Sequence, residues 1–361
     1  MGQQSNMVGV TGKKLAIIAR QDDSGLGHQT RDLVRLLNPN KVVAIDFSFY
    51  NGFKQHPEWY KDYDTKTIEG FIQDGDVHQL MQEVDIVLTA ETFYNNRFID
   101  IANQSNVITI NQINYEFFEP LSNRSLLIPT RILMPSYWHL QDLINMTEPG
   151  RVEYLPPPMF VEDFTDIYEE NLGRTGKRRF LHTAGKMATH DRAGTRDLIE
   201  AMKYTNVDFE LVIKVQNGEM LVTNDPRISL DYSFPEDERE LYRGFDAMIQ
   251  PRRYAGLNLP MNEALSAGLP VIMTDIDPNN KVLPSNWLVP ATKQTTFMAR
   301  TMIDVYSAGY NGLADKITQF AIMDNKLMNN YKTQARQIAI REYSSEVIKE
   351  KWSLLIKKLG V

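Results

Sequence analysis

The sequence predicts an α/β protein made of two doubly wound, Rossmann-like domains, and three observations lead to this class. The chain has 361 residues, which is long for a single core, because cores stop growing at about 250–300 residues. Short apolar runs alternate with amphipathic helical stretches, a pattern typical of a parallel sheet covered by helices on both faces. The pattern stops at three prolines, residues 156–158, and then starts again. We therefore expect two parallel-sheet domains facing a cleft, with ligands at the carboxyl ends of their strands.

The first domain is predicted over residues 1–157. It opens with an apolar run flanked by charge, residues 13–20, which is typical of a buried parallel strand. A glycine-containing loop at 22–30 leads into a helix that we expect to begin at residue 31. Further strands are predicted at 41–48, 84–91, 106–112 and 130–135. The last of these ends at Pro135, and Ser136 is a suitable N-cap for the helix that follows.

The second domain is predicted over residues 158–340, after an extended connector imposed by the prolines. A terminal helical segment, residues 341–361, is expected to pack back on the first domain. Strands are predicted at 178–186, 209–215, 246–251, 269–275 and, as a short one, 287–291. Helices are predicted at 194–204, 236–245, 261–268 and 344–360.

The composition excludes several classes of protein and of site. Cysteine is absent, which excludes disulfides and thiolate metal sites and fits a reducing compartment, so we expect a cytoplasmic protein. No run approaches the ~18 apolar residues of a membrane span, and no secretory signal is evident. The six histidines show no metal-ligand spacing, so no metal site is predicted. The net charge of -7 argues against a general affinity for polyanions.

The stretch QPRRYAGLNLPMNEALSAGLPVIMTD, residues 250–275, carries the main chemical signal. It follows a predicted strand, so it lies at the carboxyl edge of the second sheet. Gly256 allows a tight turn, and Pro260 suits the first turn of a helix whose amides and dipole attract anions. Arg252 and Arg253 add guanidinium groups suited to phosphate oxygens. Glu263 comes about one turn into that helix, where it can accept hydrogen bonds from the hydroxyls of a ribose.

Each feature alone is typical of an ordinary helix with a proline start, a glycine stop at Gly268 and two solvated arginines. Their combination at a sheet edge favours a pocket for a diphosphate and a sugar. The stretch resembles the donor-binding signature of family-4-type retaining glycosyltransferases of the GT-B fold, and looks especially similar to phage-encoded members. The matching positions are Pro251, Gly256, Leu259, Pro260, Glu263, Ala264, Gly268, Pro270 and Val271. Segments 24–30, 134–143, 154–164 and 182–202 resemble other parts of the same family, in the same order.

The resemblance implies a GT-B fold and specific roles for several residues. Lys186, beside Gly185, matches the family arginine that contacts the donor pyrophosphate, and Arg192 is our substitute for the second cation. Glu263 matches the acid that holds the donor ribose. The backbone at Gly256, Leu257 and Asn258 would lie against the donor sugar or its phosphate. In the first domain, Gly25 and Gly27 would let the chain approach the same donor closely.

Two positions depart from the family signature. Ala255 stands where the family has an acid that contacts hydroxyls of the transferred sugar, and Asn258 replaces the second glycine. Asn258 or Arg253 is a candidate to supply the missing polar contact.

On the acceptor side, polar residues follow predicted strands of the first domain. The candidates are Asp23, His28, Glu91 and Tyr115, although a histidine beside a glycine loop and an aromatic loop are more often structural. A dinucleotide fold requires G-x-G-x-x-G, and Thr30 occupies the third glycine position, which disfavours nicotinamide binding.

We therefore expect a retaining, metal-independent glycosyltransferase that needs no cofactor and uses a UDP- or GDP-sugar. The resemblance implies front-face attack by an acceptor hydroxyl, and the acceptor is a glycan, a protein or a modified DNA base. Phage-type transfer to a hydroxymethylated base, in the host cytoplasm, stays open. Residues 1–155 hold 13 Lys and Arg against 19 Asp and Glu, an acidic balance that disfavours binding to a DNA backbone. The sequence is also compatible with a non-catalytic sugar-binding or partner subunit, and with an isomerase or epimerase on the same fold.

Overall fold

The computed structural model describes residues 12–117, 128–185, 190–215, 221–233, 235–254 and 256–360. The chain divides into two compact units. Unit 1 comprises Met1–Pro158 together with Ser345–Val361, and unit 2 comprises Met159–Ser344. Each unit contains one seven-stranded sheet, so the predicted fold class, two doubly wound α/β domains, is confirmed.

The sheet of unit 1 is parallel throughout and has the strand order β3-β2-β1-β4-β5-β6-β7. The order reverses between the neighbours β1 and β4, and a ligand crevice opens at such a point at the carboxyl ends of the strands. Two strands were not predicted: β3 lies at an edge and is half exposed, and β7 has only three residues. The strands are β1 Leu15–Arg20, β2 Lys41–Asp46, β3 Thr65–Glu69, β4 Ile86–Ala90, β5 Ile108–Gln112, β6 Arg131–Met134 and β7 Val152–Tyr154.

Two helix starts in unit 1 differ from the prediction. The first helix begins at Gly25 instead of residue 31, because the Ser24 hydroxyl accepts a hydrogen bond from the Gly27 amide (3.1 Å) and caps it there. Ser136 is not an N-cap: its hydroxyl accepts from the Trp138 amide (3.3 Å), and the helix starts at Leu140. The helices of this part of the chain are α1 Gly25–Leu37, α2 Ser48–Asn51, α3 Asp74–Glu83, α4 Phe98–Gln104 and α5 Leu140–Met146.

The sheet of unit 2 has the corresponding order β10-β9-β8-β11-β12-β13-β14. Its neighbours are parallel except β13 and β14, which form an antiparallel hairpin. The order reverses between β8 and β11, so this sheet also has a crevice at the carboxyl ends of its strands. The strands are β8 Arg179–Gly185, β9 Glu210–Val215, β10 Ile228–Asp231, β11 Ala247–Gln250, β12 Val271–Asp275, β13 Leu288–Met298 and β14 Met302–Ala308.

Two predicted elements of unit 2 differ from the structure, one in type and one in length. The helix expected at 236–245 is only a 3₁₀ segment, Glu238–Tyr242. The short strand expected at 287–291 is the start of the eleven-residue β13. The helices are α6 Thr165–Gly173, α7 Thr195–Ala201, α8 Leu259–Ser266, α9 Asn279–Val282, α10 Tyr310–Ala321 and α11 Asn325–Tyr343.

The last helix, α12 Ser345–Lys358, belongs to unit 1 and contacts α1. Its apolar face buries Ile348, Trp352 and Leu355, each no more than 1% exposed. Burying side chains of this size contributes roughly 1.5–3 kcal/mol each, enough to hold a helix that is remote in sequence. None of the helices in the described ranges is both long and apolar enough to cross a membrane.

Candidate functional site

A buried histidine, His182, connects strands β8 and β11 at the crevice of unit 2. β8 and β11 pair only through Phe180 and Leu181, and beyond this point His182 bridges them. Because the Ile249 carbonyl can only accept, His182 Nδ1 donates to it (2.7 Å), and Nε2 then accepts from the Thr195 hydroxyl (2.8 Å). Burial lowers the pKa of His182, so the ring is neutral near pH 7. Sequence reasoning missed this residue, since a histidine inside a strand carries no distinctive pattern.

β8 ends at Gly185, which has a left-handed backbone with φ of 60° beside a register shift in the pairing with β9. Such a conformation favours glycine and turns the chain away from the sheet. Lys186, the predicted phosphate-binding residue that comes next, lies outside the described residues.

Arg192 lies where two loops of unit 2 meet. Its carbonyl accepts a hydrogen bond from the Arg253 amide (3.0 Å), and its guanidinium carbon lies 5.1 Å from the centre of the Tyr254 ring. The loop after β8 is therefore fixed against the loop after β11, and both loops begin at the crevice. The structure brings together the predicted cations Arg192 and Arg253.

A glycine that was not predicted makes this close approach possible. A Cβ on Gly194 would lie 2.1 Å from the Pro251 carbonyl oxygen, and the backbone has φ of 74°. Asp191 caps the helix that follows by accepting from the amides of Thr195 (3.1 Å) and Arg196 (2.7 Å). The start of α7 is thus satisfied internally, and it positions Arg192 without itself serving as an anion site.

Arg252 and Arg253 both use their guanidinium groups on backbone carbonyls. Arg252 is buried and donates to the carbonyls of Tyr254 (3.2 Å) and Leu257 (3.4 Å). Arg253 donates to the carbonyls of His190 (3.0 Å) and Tyr306 (3.1 Å). Both arginines therefore shape the loops around the crevice. Their contact with a phosphate stays a prediction.

The start of α8 offers fewer amide donors than we expected. The amides of Met261 and Asn262 both donate to the Asn258 carbonyl (3.0 and 3.3 Å), and Pro260 has no N–H. The Asn258 side chain is 4% exposed, and neither its Oδ1 nor its Nδ2 has a hydrogen-bond partner among the described residues. A buried side-chain amide without hydrogen-bond partners costs free energy. A ligand that bonds to the Asn258 side chain would remove this cost.

Glu263 lies half-buried in α8, and Tyr242 fixes its carboxylate. Tyr242 is 1% exposed, and its hydroxyl donates to Glu263 Oε2 (2.5 Å). Burial and the neighbouring carboxylate raise the pKa of Tyr242 well above its usual value, so the phenol keeps its proton and remains a donor. Gly256 is buried and Leu257 is half-buried in the loop just before, whereas Ala255 lies outside the described residues.

In unit 1, the two glycines of the expected loop lie in the first turn of α1. Gly25 is exposed. A Cβ on Gly27 would lie 1.8 Å from the Asp22 carbonyl oxygen, so the turn needs glycine here for its own packing. Contact of either residue with a donor substrate stays a prediction.

Three of the predicted acceptor-side residues take part in contacts within unit 1. His56 Nε2 lies 2.5 Å from Asp23 Oδ1, and its ring stacks on Trp59 with centroids 4.6 Å apart. His28 lies on the same indole (5.3 Å), and burial lowers its pKa to about 3, so it is neutral at pH 7. The Tyr115 ring stacks on the His139 ring, with centroids 4.0 Å apart. These contacts are those expected if His28 and Tyr115 have a structural role, the more common alternative for such residues.

Glu91, the fourth acceptor-side candidate, directly follows β4 at the crevice of unit 1. Its backbone is left-handed, with φ of 60°, which is uncommon for a residue with a side chain. Asn114 Nδ2 donates to Glu91 Oε1 (2.5 Å), and Asn111 Nδ2 donates weakly to the Glu91 carbonyl (3.4 Å). Within the described ranges, no group of three or more His, Asp or Glu side chains could hold a metal ion.

Comparison with known proteins gives a family match inside unit 2. Residues 178–307 match the family described as glycosyl transferases group 1, a segment that runs from β8 to β14 and contains Arg192, Asn258 and Glu263. No curated protein matches this chain in sequence.

Solved structures match nearly the whole chain. Anabaena HepE in complex with UDP and glucose is 10% identical, with 96% of this chain and 100% of that chain covered and a TM-score of 0.66. A glycosyltransferase from Rickettsia africae is 14% identical, with 96% and 98% covered and a TM-score of 0.68. TarM is 12% identical, with 95% and 98% covered and a TM-score of 0.66. In fold, the chain is a GT-B protein. HepE has also been crystallised with UDP-glucose, so this GT-B relative holds a nucleotide sugar.

Proposed function

We propose that this GT-B protein is a retaining glycosyltransferase that moves a sugar from a UDP-sugar to an acceptor hydroxyl. The observation that carries the proposal is the position of Glu263, one turn into α8 at the crevice of unit 2, with its carboxylate fixed by Tyr242 at 2.5 Å. The family match covers this segment, and HepE, a similar GT-B structure, binds UDP and UDP-glucose.

In this proposal, Glu263 accepts hydrogen bonds from the ribose hydroxyls of the donor. Lys186 contacts the diphosphate, with Arg192 as the second cation, and their positive charge stabilises the phosphate as it leaves. One well-placed donor of this kind is worth roughly 3–4 kcal/mol of barrier. No step in this scheme requires a metal ion.

The bond between the anomeric carbon and the phosphate oxygen breaks, and a bond to the acceptor oxygen forms on the same face of the sugar. The proton of the acceptor hydroxyl passes to the leaving phosphate, so atoms and charge balance without a protein base.

Asn258 would hold hydroxyls of the transferred sugar, in place of the acid that is missing at Ala255. Of the two candidates for this role, Arg253 already donates to the carbonyls of His190 and Tyr306. The side-chain amide of Asn258, in contrast, has no hydrogen-bond partner among the described residues.

A thermal-shift screen with UDP-, GDP-, ADP- and dTDP-sugars tests donor binding. A ligand at ~100 times its Kd stabilises the folded protein by roughly 2.7 kcal/mol, and we expect the largest shift with a UDP-sugar. A flat response to all four would contradict the proposal.

Release of UDP from the best donor then tests catalysis. We expect slow release that is lost in Glu263→Gln. The absence of an acid at Ala255 keeps the non-catalytic subunit as the second candidate: binding of the donor without any release of UDP would favour that subunit.

A further inference from the structure

The crevice of unit 1 contains two buried amide oxygens that accept no hydrogen bond from any residue that the structure describes. Asn111 is 7% exposed and Asn114 is 9% exposed, and the Oδ1 of each has no hydrogen-bond partner within the described part of the chain. Buried polar atoms are nearly always paired, and an unpaired one costs free energy. Two such atoms on neighbouring residues therefore indicate a ligand that supplies the missing donors.

Hydrogen bonds inside the cluster fix the direction of both amides. Asn114 Nδ2 donates to Glu91 Oε1, and Asn111 Nδ2 is turned to the Glu91 carbonyl. Exchanging O and N of the Asn114 amide would set an oxygen against a carboxylate. One N–H of each amide is therefore used within the cluster, and the two Oδ1 atoms are left to accept hydrogen bonds from a ligand.

The backbone at this site is also unusual. Glu91 and Tyr94 both have positive φ, 60° and 57°, although neither is a glycine. Such conformations cost of order 1–3 kcal/mol each and cluster at functional sites. The loop follows β4, one of the two strands between which the order of the sheet reverses, where α/β sheets bind ligands.

We propose that Glu91, Asn111 and Asn114 form an acceptor-substrate subsite, the amide pocket, that binds hydroxyl groups of a neutral sugar. The pocket offers one carboxylate and two amide oxygens, all of them hydrogen-bond acceptors, so its ligand must donate hydrogen bonds. Phosphate oxygens only accept and are repelled by the carboxylate, which excludes a nucleic-acid backbone or a polyphosphate. This inference rests on the proposed function, because it identifies the pocket ligand as the acceptor of the transfer.

Calorimetric titration with methyl glycosides of glucose, galactose, mannose and N-acetylglucosamine, in saturating UDP, tests the amide pocket. We expect at least one glycoside to bind. Glu91→Gln, which preserves shape, and Asn114→Ala should each weaken that glycoside about 10-fold, the effect of losing one hydrogen bond that involves a charged group. Asn145→Ala, the same substitution at an exposed asparagine of α5, should leave the affinity unchanged.

Failure to bind any of the four glycosides would overturn the proposal. Equal affinity for wild type, Glu91→Gln and Asn114→Ala would also overturn it and would mean that a structural water satisfies the two oxygens. Displacement of the glycoside by inorganic phosphate or by n-propylammonium would show a different ligand class and would likewise overturn it.

The thermal shift caused by UDP, measured on each variant, separates the two proposals. A normal UDP shift with no effect on glycoside binding contradicts the amide pocket alone. Loss of the UDP shift in the wild type contradicts the proposed function.

Discussion

The two sheets have corresponding strand orders, but the polar groups at their crevices differ: hydrogen-bond acceptors in unit 1 and arginines in unit 2. Each sheet has seven strands, and each reverses its strand order between the first strand of the unit and the fourth. At the crevice of unit 1, the Oδ1 atoms of Asn111 and Asn114 have no hydrogen-bond partner among the described residues, and Asn114 contacts the carboxylate of Glu91. At the crevice of unit 2, Arg192 and Arg253 lie on adjoining loops ahead of a helix N-terminus. We therefore propose that the same scaffold presents a site for hydroxyl donors in unit 1 and a site for anions in unit 2.

The two crevices also differ in the backbone conformation of the loops that form them. The loop after β4 has two non-glycine residues at positive φ, Glu91 and Tyr94, whereas the loop after β8 has one, Asp191, between two glycines at positive φ, Gly185 and Gly194. Glycine lets backbone segments touch, which brings cations from separate loops together.

Replacing Arg192 in unit 2 should have the largest effect on catalysis. Arg192→Ala should lower kcat for UDP release by about 100- to 1000-fold, because one preorganised charge on the leaving group is lost. Arg196→Ala removes an exposed arginine four residues along and should change kcat little. Equal rates for wild type and Arg192→Ala would place the diphosphate elsewhere.

Closing the gap between the loops of unit 2 should reduce stability. Gly194→Ala forces a Cβ against the Pro251 carbonyl and should lower the free energy of unfolding by about 1–3 kcal/mol more than Gly176→Ala. Gly176 also has positive φ, 95°, but has nothing within 4 Å of its would-be Cβ, so this control isolates the clash. Urea unfolding measures both variants, and equal losses would contradict the close contact.

Weakening the support of Glu263 should reduce donor affinity by a smaller factor. Tyr242→Phe removes the hydroxyl that donates to the carboxylate and should raise the Kd for UDP about 10-fold. Tyr60→Phe removes another buried tyrosine hydroxyl, in unit 1, and should leave the Kd unchanged. Calorimetry measures the two variants, and the same Kd for Tyr242→Phe as for wild type would show that the orientation of Glu263 is not needed.

The histidine bridge of unit 2 predicts a dependence of stability on pH. The pKa of His182 is lowered in the folded protein, so below about pH 6.5 the unfolded state binds the proton first, and folding loses up to about 1.4 kcal/mol per pH unit. Above that pH, the contribution does not change. Denaturant unfolding between pH 5 and pH 8 should show a smaller slope for His182→Gln than for wild type. The same slope in both proteins would mean that folding does not lower the pKa of His182.

The sequence predicted the repeated strand–helix pattern because fully apolar runs such as residues 15–20 are distinctive. It missed β3, which is half exposed, and most of the β13–β14 hairpin, whose strands are not continuous apolar runs. Within the candidate site, the family resemblance indicated Glu263 directly and Arg192 only as a substitute for the family lysine, and both roles stay predictions. Tyr242, His182 and Gly194 were not, because their roles depend on contacts with Glu263, Ile249 and Pro251 that no spacing along the chain reveals.

A crystal of the protein soaked with UDP tests the difference between the two crevices most directly. We expect the diphosphate in unit 2, with an oxygen about 2.7–3.2 Å from the Arg192 guanidinium, the ribose hydroxyls on Glu263, and no phosphate beside Glu91. Diphosphate density at Glu91 and Asn114, or an empty crevice at the start of α8 in saturating UDP, would contradict it.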